Sequence, residues 1–235
     1  MMGVVVSCEH AAWRLPDHVD LGLNEACLQS QAGWDHGAAA IARDVAFGLA
    51  APAHYGDFTR TFVDLNRPPD HADVVPQRCY GLAVPGNAAL SAAARAARIA
   101  RYHRPYWDAV RADVVAVRST RDCLHLSSHS FSPALDPERR TYDLGVLYAP
   151  DSGWEAELAE RLLAGLRAAG FDVRANEPYG GSGPALTTEL RRESLGAPGG
   201  RYAGIEIETS HRVTETSHGG ARVAAALVEI LRPLI

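Results

Sequence analysis

No lysine occurs anywhere in the 235-residue sequence, so the 23 basic side chains other than histidine are all arginines. That absence excludes a Schiff-base lysine and a Walker A loop, whose lysine must reach the phosphates. An excess of basic charge is missing too. The chain carries 28 acidic residues and a formal net charge of -5, with no basic run. It therefore lacks the positive footprint that general nucleic-acid or anionic-membrane binding needs. Cysteine is scarce. Cys8, Cys27, Cys79 and Cys123 form no CxxC, and their spacings fit no zinc-finger or disulfide framework. Cys8 and Cys123 lie in apolar, strand-like runs and read as small core residues. No apolar run approaches the roughly 18 residues of a membrane span. The first ten residues lack the basic and apolar regions of a signal peptide. The expectation is a cytoplasmic protein with reduced thiols. The all-arginine basic set and the abundant alanine fit a GC-rich genome.

What is present points to an α/β protein. At roughly 100–200 residues per domain, the length suits one large domain or two small ones. Val4–Cys8 is a short β-branched run. Residues 35–50 have alanine-rich helical spacing, with Asp35 suited to the N-cap or first turn. Residues 60–65 (RTFVDL) alternate like a strand, stopped by Pro68-Pro69. Residues 88–117 carry two helical stretches broken near Pro105. Residues 123–129 (CLHLSSH) and 144–148 (LGVLY) read as strands, and 154–169 as an amphipathic helix closed by Gly170. Two more strands are expected at 171–175 and 202–208, with a closing helix at 221–234. Strands alternating with helices of this length argue a largely parallel sheet. Residues 66–86 and 176–200 read as long loops, which are more often functional than short ones.

Ionisable and amide residues sit where the strands end, and sites of open α/β sheets form at carboxyl ends of strands. Glu9-His10 follow the first strand. Asp64, Asn66 and Arg67 follow the second, His129 ends the third, and Glu206 and Glu208 end the last. Two histidines with a carboxylate are the ligand set of a catalytic zinc, which leaves one position for water. A free glutamate then serves as general base. Adjacent Asn66 and Arg67 offer a fork of donors matched to a carboxylate.

In order, His10, Asp64-Leu65-Asn66-Arg67, His129 and Glu206 resemble zinc carboxypeptidase and aspartoacylase-type hydrolases. A closer resemblance is to the N-formylglutamate amidohydrolase family. It is carried by CEHA (8–11), WDHGA (34–38), RTFVDLNRPP (60–69), PGN (85–87), RIARYHRPYW (98–107), HSFSP (129–133), NEPYGG (176–181) and GIEIE (204–208). These stretches cover nearly the whole chain in one order. The resemblance implies a single domain over residues 1–235. Its fold would be three-layered, a mixed, mostly parallel sheet flanked by helices, as in zinc exopeptidases and phosphorylase-hydrolase-like proteins. It implies zinc-dependent cleavage of an N-formyl or small N-acyl group from an acidic amino acid, with N-formyl-L-glutamate the leading substrate. By the same resemblance His10 and His129 are metal ligands and Glu206 is the base. Asn66 and Arg67 grip the substrate carboxylate, and Arg60 stabilises the oxyanion. Tyr179, in a glycine-rich loop, would cap the site. The alternatives are a zinc hydrolase of another N-acyl amino acid or peptide, or a family member that binds a carboxylate without turnover. The oligomeric state is left open.

The carboxylate ligand is not settled by sequence. Related peptidases place a glutamate three residues after the first histidine, where this chain has Trp13. Asp35 is the substitute, although it also suits a helix N-cap. Glu9 is the runner-up, since successive strand residues face opposite ways. His36 reads as a solvated histidine or a further ligand. Trp107 stands where the family has a histidine. His103, one helical turn earlier, is either a surface residue or a replacement. Thr187 and Thr188 are present, but Arg191 and Arg192 fall where a histidine is usual. Glu208 stands two positions after the base, where a basic or amide residue is usual. It would tune the base, act as the base, or point outward to Arg201 or Arg212.

Overall fold

β-branched runs alternate with alanine- and leucine-rich helices, and the chain winds them into a sheet covered on both faces. The structure, a computed structural model, describes residues 1–136 and 139–235. The strands are β1 (Met2–Cys8), β2 (Ala53–Tyr55), β3 (Arg78–Cys79), β4 (Leu82–Ala83), β5 (Asp122–Phe131), β6 (Leu144–Leu147), β7 (Val173–Ala175) and β8 (Tyr202–Ser210). The helices are α1 (Glu25–Leu28), α2 (Ala38–Leu49), α3 (Pro85–Ala88), α4 (Ala92–Arg98), α5 (Arg104–Arg118), α6 (Gly153–Ala168), α7 (Leu186–Ser194), α8 (His211–Thr214) and α9 (Gly219–Leu231). A π-helical segment, Ile99–His103, joins α4 to α5.

The main sheet has the order β2-β1-β5-β8-β6-β7. All its pairs are parallel except β6 with β8. This is a single α/β domain with a mixed, mostly parallel sheet. Helices α2, α6 and α9 pack on one face, against Val4, Val6, Leu124, Leu126, Ile205 and Ile207. Helices α5 and α7 cover the other, where Val5 meets Trp107, Val110, Val114, Leu186 and Leu190. The alternation of Val4, Val5 and Val6 between the two clusters is the period of two expected of a strand. A smaller cluster of Leu21, Phe62, Val63, Leu65, Val74 and Val84 lies under the 60–85 excursion. No helix among the described residues is long and apolar enough to cross a membrane.

Several local expectations change. Residues 60–65 are a turn, not a strand, and the edge strand is β2, just before them. The chain passes from α4 to α5 through π geometry without a break, with Pro105 in the first turn of α5, where its missing N–H is harmless. The 176–200 loop contains α7, whose apolar face is only Leu186 and Leu190. The 66–86 loop contains the β3–β4 hairpin and a short 3-10 turn.

Candidate active site

The face of the sheet under α5 and α7 turns polar toward the carboxyl ends of its central strands. Ser127 and His129 on β5 pair in register with Glu206 and Glu208 on β8. Ser7 on β1 pairs with Ser127, which brings the turn after β1 beside His129. Glu9 and His10 lie in that turn, so strand alternation no longer separates them and both reach His129.

The centre of the site is Asp35. Its Oδ2 lies 3.3 Å from His10 Nδ1 and 2.7 Å from His129 Nδ1. Its Oδ1 accepts from the Arg60 guanidinium. All four side chains are buried. Asp35 is not the N-cap of α2, a position held by Gly37 at φ +79°. The far nitrogens of both imidazoles rest on carboxylates: His10 Nε2 on Asp64 Oδ1 at 2.7 Å, and His129 Nε2 on Glu9 Oε2 at 3.1 Å. Those carboxylates are themselves held. Ser127 Oγ donates to Glu9 Oε2 at 2.6 Å, and the Asn66 N–H donates to Asp64 at 2.9 Å.

This donor set fits a divalent cation. One ligand atom from each of His10, Asp35 and His129 lies within 4.8 Å of the others. Bonds of about 2.0–2.1 Å in a tetrahedral site put ligand atoms about 3.3–3.4 Å apart, close to the observed His10–Asp35 separation. With each Nε2–H donated to a carboxylate, each Nδ1 points at the cluster and can offer its lone pair there once its own proton is released. Carboxylate partners of this kind orient metal-binding histidines.

The charges are strongly coupled. Burial, helped by the Arg60 charge, pushes the His10 pKa down to about 4. Burial also opposes a charged His129, but the Glu9 hydrogen bond and the charges of Glu206 and Glu9 outweigh it and raise the pKa to about 9. Burial would raise the Glu9 and Asp64 carboxyls, yet His129 and His10 respectively hold them well below the usual range. A cation at His129 Nδ1 competes with a proton, so affinity must fall as pH falls.

These groups line a cavity of about 270 Å³, with Asn66, Arg67, Tyr80, Tyr179, Glu206 and Glu208 also on its wall. Asn66 is anchored by the Leu186 N–H, which donates to its Oδ1 at 3.1 Å. Arg67 Nη1 donates to the Pro184 carbonyl at 2.8 Å. Arg60 Nε is buried without a partner. Thr187 Oγ1, in the first turn of α7, donates to Glu206 Oε1 at 2.7 Å, and Glu206 Oε2 lies 3.9 Å from His129 Nε2. Tyr80, at the tip of the β3–β4 hairpin, meets Tyr179 hydroxyl to hydroxyl at 3.0 Å. Burial, reinforced by the charge of Glu206, pushes the Glu208 carboxyl up to about 7.

Other candidates fall elsewhere. His36 packs on Trp34 and His211, outside the cluster. His103 is fully buried rather than superficial, and its Nε2 donates to the Arg67 carbonyl at 2.8 Å. Trp107 Nε1 donates to the Leu65 carbonyl at 2.7 Å, so it braces the turn that carries Asp64, Asn66 and Arg67. Arg191 is committed to the buried Glu155 at 2.7 Å and Arg192 to Glu189. Arg201 and Arg212 pair with Asp122 and Asp143, so Glu208 is not an outward partner of either. Sequence reasoning missed Tyr80. The only signal was an aromatic beside Gly81 in a polar loop, a hairpin-tip pattern.

Comparison with known proteins places the chain in a family and finds its fold in solved structures. The family model for N-formylglutamate amidohydrolase matches residues 2–234. The gene product Atu2144 from Agrobacterium tumefaciens superposes with a TM-score of 0.83 at 30% identity, over 99% of this chain and 90% of that one. The N-formylglutamate amidohydrolase from Ralstonia eutropha JMP134 shares the fold, with a TM-score of 0.71 at 18% identity over 99% and 92% of the two chains. A sequence comparison with curated proteins finds no match. The chain belongs to the N-formylglutamate amidohydrolase family, a family of amide hydrolases.

Proposed function

We propose that the chain is a metal-dependent hydrolase of N-formyl, or similarly small N-acyl, amino acids. The family name points to N-formyl-L-glutamate as the parent substrate. The observation that carries the metal reading is the pair of imidazoles with Nδ1 on Asp35 and Nε2 on a carboxylate. His10, Asp35 and His129 would hold zinc or another divalent ion. When bound, the ion supplies a Lewis acid that polarises the amide carbonyl and acidifies water.

The chain's own groups then divide the remaining work. Glu206, with Oε1 fixed by Thr187, accepts the proton of the attacking water and returns it to the leaving nitrogen. Arg60 is held rigid by Asp35, and its unpartnered Nε is a donor for the developing oxyanion. Arg67, with Nη1 on the Pro184 carbonyl and Nε 4.0 Å from Asp64 Oδ2, keeps Nη2 for the substrate carboxylate, beside the Asn66 amide. Tyr80 and Tyr179 close the mouth and limit water. The cavity is smaller than the roughly 300–1,000 Å³ of drug-sized sites, which suits a short acyl group on a single amino acid.

The test is formate release from N-formyl-L-glutamate and a panel of other N-formyl amino acids, by zinc-loaded and chelator-treated protein. Release that depends on metal is expected. No release from any of them by the loaded protein removes the reading.

A further inference from the structure

Glu208 is the odd member of the buried acids. Glu155, fully buried, accepts from the Ala149 and Gly204 N–H groups and is forked by Arg191. Glu9 is held by Ser127, Tyr106 and His129, and Glu206 by Thr187. Glu208 is 5% exposed and lines the cavity, yet its Oε2 is buried with no hydrogen-bond partner. Among the described residues, no basic group comes within the 4.0 Å of an ion pair. Its place is not accidental slack. β8 is central, and Glu208 is fixed between His129 on β5 and Gly145 on β6. A buried, unpartnered carboxylate oxygen is expensive, and one that belongs to a cavity-lining residue calls for a functional explanation. Glu206, not Glu208, comes within 4 Å of a His129 nitrogen, so the second carboxylate makes no ion pair with that imidazole.

We infer that Glu208 is a substrate-recognition group that accepts hydrogen bonds from a nitrogen donor, a carboxamide or a cationic nitrogen, on the side chain of the N-acyl amino acid. This rests on reading the cavity as an N-acyl amino acid site and sharpens its substrate class. Arg67 takes the α-carboxylate, and a second carboxylate on the substrate meets Glu208 as a like charge. Glutamate side chains are therefore disfavoured against glutamine-, lysine- or arginine-like ones.

Two measurements test it at pH 8. The first is kcat/KM of the zinc-loaded wild type and Glu208→Gln on N-formyl-L-glutamine, N-formyl-L-lysine and N-formyl-L-glutamate. The second is calorimetric binding of free L-glutamine, L-lysine and L-glutamate, the product-side ligands. The wild type should favour at least one nitrogen-donor side chain over glutamate by tenfold or more in both. The Glu208→Gln variant should erase most of that preference, with the larger loss on lysine if a cation is the natural partner and on glutamine if an amide is. A wild type that favours glutamate overturns the inference. So does a variant that lowers kcat alike on all compounds with the preference intact. If no N-formyl compound is hydrolysed, the hydrolase reading fails separately. The binding preference of the wild type then decides the role of Glu208.

Discussion

Asp35 and Glu9 both touch His129, but on opposite nitrogens, and this makes a sharp prediction for metal binding. Asp35 Oδ2 faces Nδ1 of both imidazoles, at 3.3 and 2.7 Å, whereas Glu9 Oε2 takes the Nε2 side of His129 at 3.1 Å. On the proposed metal reading Asp35 is the carboxylate ligand, and Glu9 and Asp64 are the acceptors that orient the two rings. Removing an orienting carboxylate charge typically costs about 10–100-fold in metal affinity, or roughly 1.4–2.7 kcal/mol. Glu9→Gln and Asp64→Asn should each fall in that range. Asp35→Asn removes the one carboxylate of the cluster and should exceed it, with a loss above about 100-fold. The amide can still accept from Arg60, and near-UV circular dichroism checks that the fold survives. The assay is competition for zinc against a chromogenic chelator at fixed pH. If Asp35→Asn stays within tenfold of wild type, or Glu9→Gln loses more than Asp35→Asn, the ligand set is wrong.

Two further outcomes follow from the same wall of the cavity. Thr187→Val removes the only hydroxyl that donates to Glu206 Oε1 among the described residues. A hydrogen bond to a charged group is worth about 1.5–3 kcal/mol. Steady-state kinetics should therefore show kcat down about 10–150-fold with KM within a factor of two, and Thr187→Ser should recover most of it; an equal loss in the serine variant removes the positioning role. Glu208→Gln should stabilise the fold at high pH while it alters specificity. Burial pushes the folded carboxyl up to about 7 from its ordinary value of 4.5. Below 4.5 it is protonated in both states, and the shift contributes nothing unfavourable. Between 4.5 and 7 the unfolded chain releases the proton first, and stability falls as pH rises. Above 7 the full penalty stands, roughly 3 kcal/mol for a shift of this size. In urea melts the variant should match wild type near pH 4.5 and gain a few kcal/mol at pH 8; a gain that does not change with pH counts against the cause.

How much was legible depended on whether one segment carried its own signal. The runs around Val4–Cys8, Leu144–Leu147 and Tyr202–Glu208 and the amphipathic helix α6 state their structure in their residues, and the sheet follows. β2 is three half-buried residues on an edge, too short for periodicity to register. α7 reads as loop because only two of its nine residues enter the core cluster. The ordered motifs brought His10, Asp35, Arg60, Asn66, Arg67, Tyr179, His129 and Glu206 into consideration, and the fold places all eight on one cavity. What sequence could not give is pairing. Which nitrogen of His129 meets Asp35 and which meets Glu9 is decided by the turn at Glu9-His10, where alternation stops.

The stretch 60–67 shows why an alternating pattern misled. Phe62, Val63 and Leu65 are buried, so the apolar signal was real, but they feed a satellite cluster rather than a sheet face. Without a ladder, the carbonyls of such a buried turn need other partners. Side chains supply them. Asn87 Nδ2 donates to the Thr61 carbonyl at 2.6 Å and Arg98 Nη1 to that of Phe62 at 3.1 Å. Trp107 Nε1 serves Leu65 and His103 Nε2 serves Arg67. Three of the four donors come from the continuous helical run of α4, the π segment and α5. π geometry recurs at functional sites because it resets which residues face inward. Here it spans Ile99–His103, between Arg98 and Trp107, with His103 closing it. Trp107 in place of the family histidine is thus no loss of a proton carrier from this cavity. Its indole N–H fixes the turn that presents Asp64 to His10 and Arg67 to the cavity, a task that an imidazole one turn earlier shares.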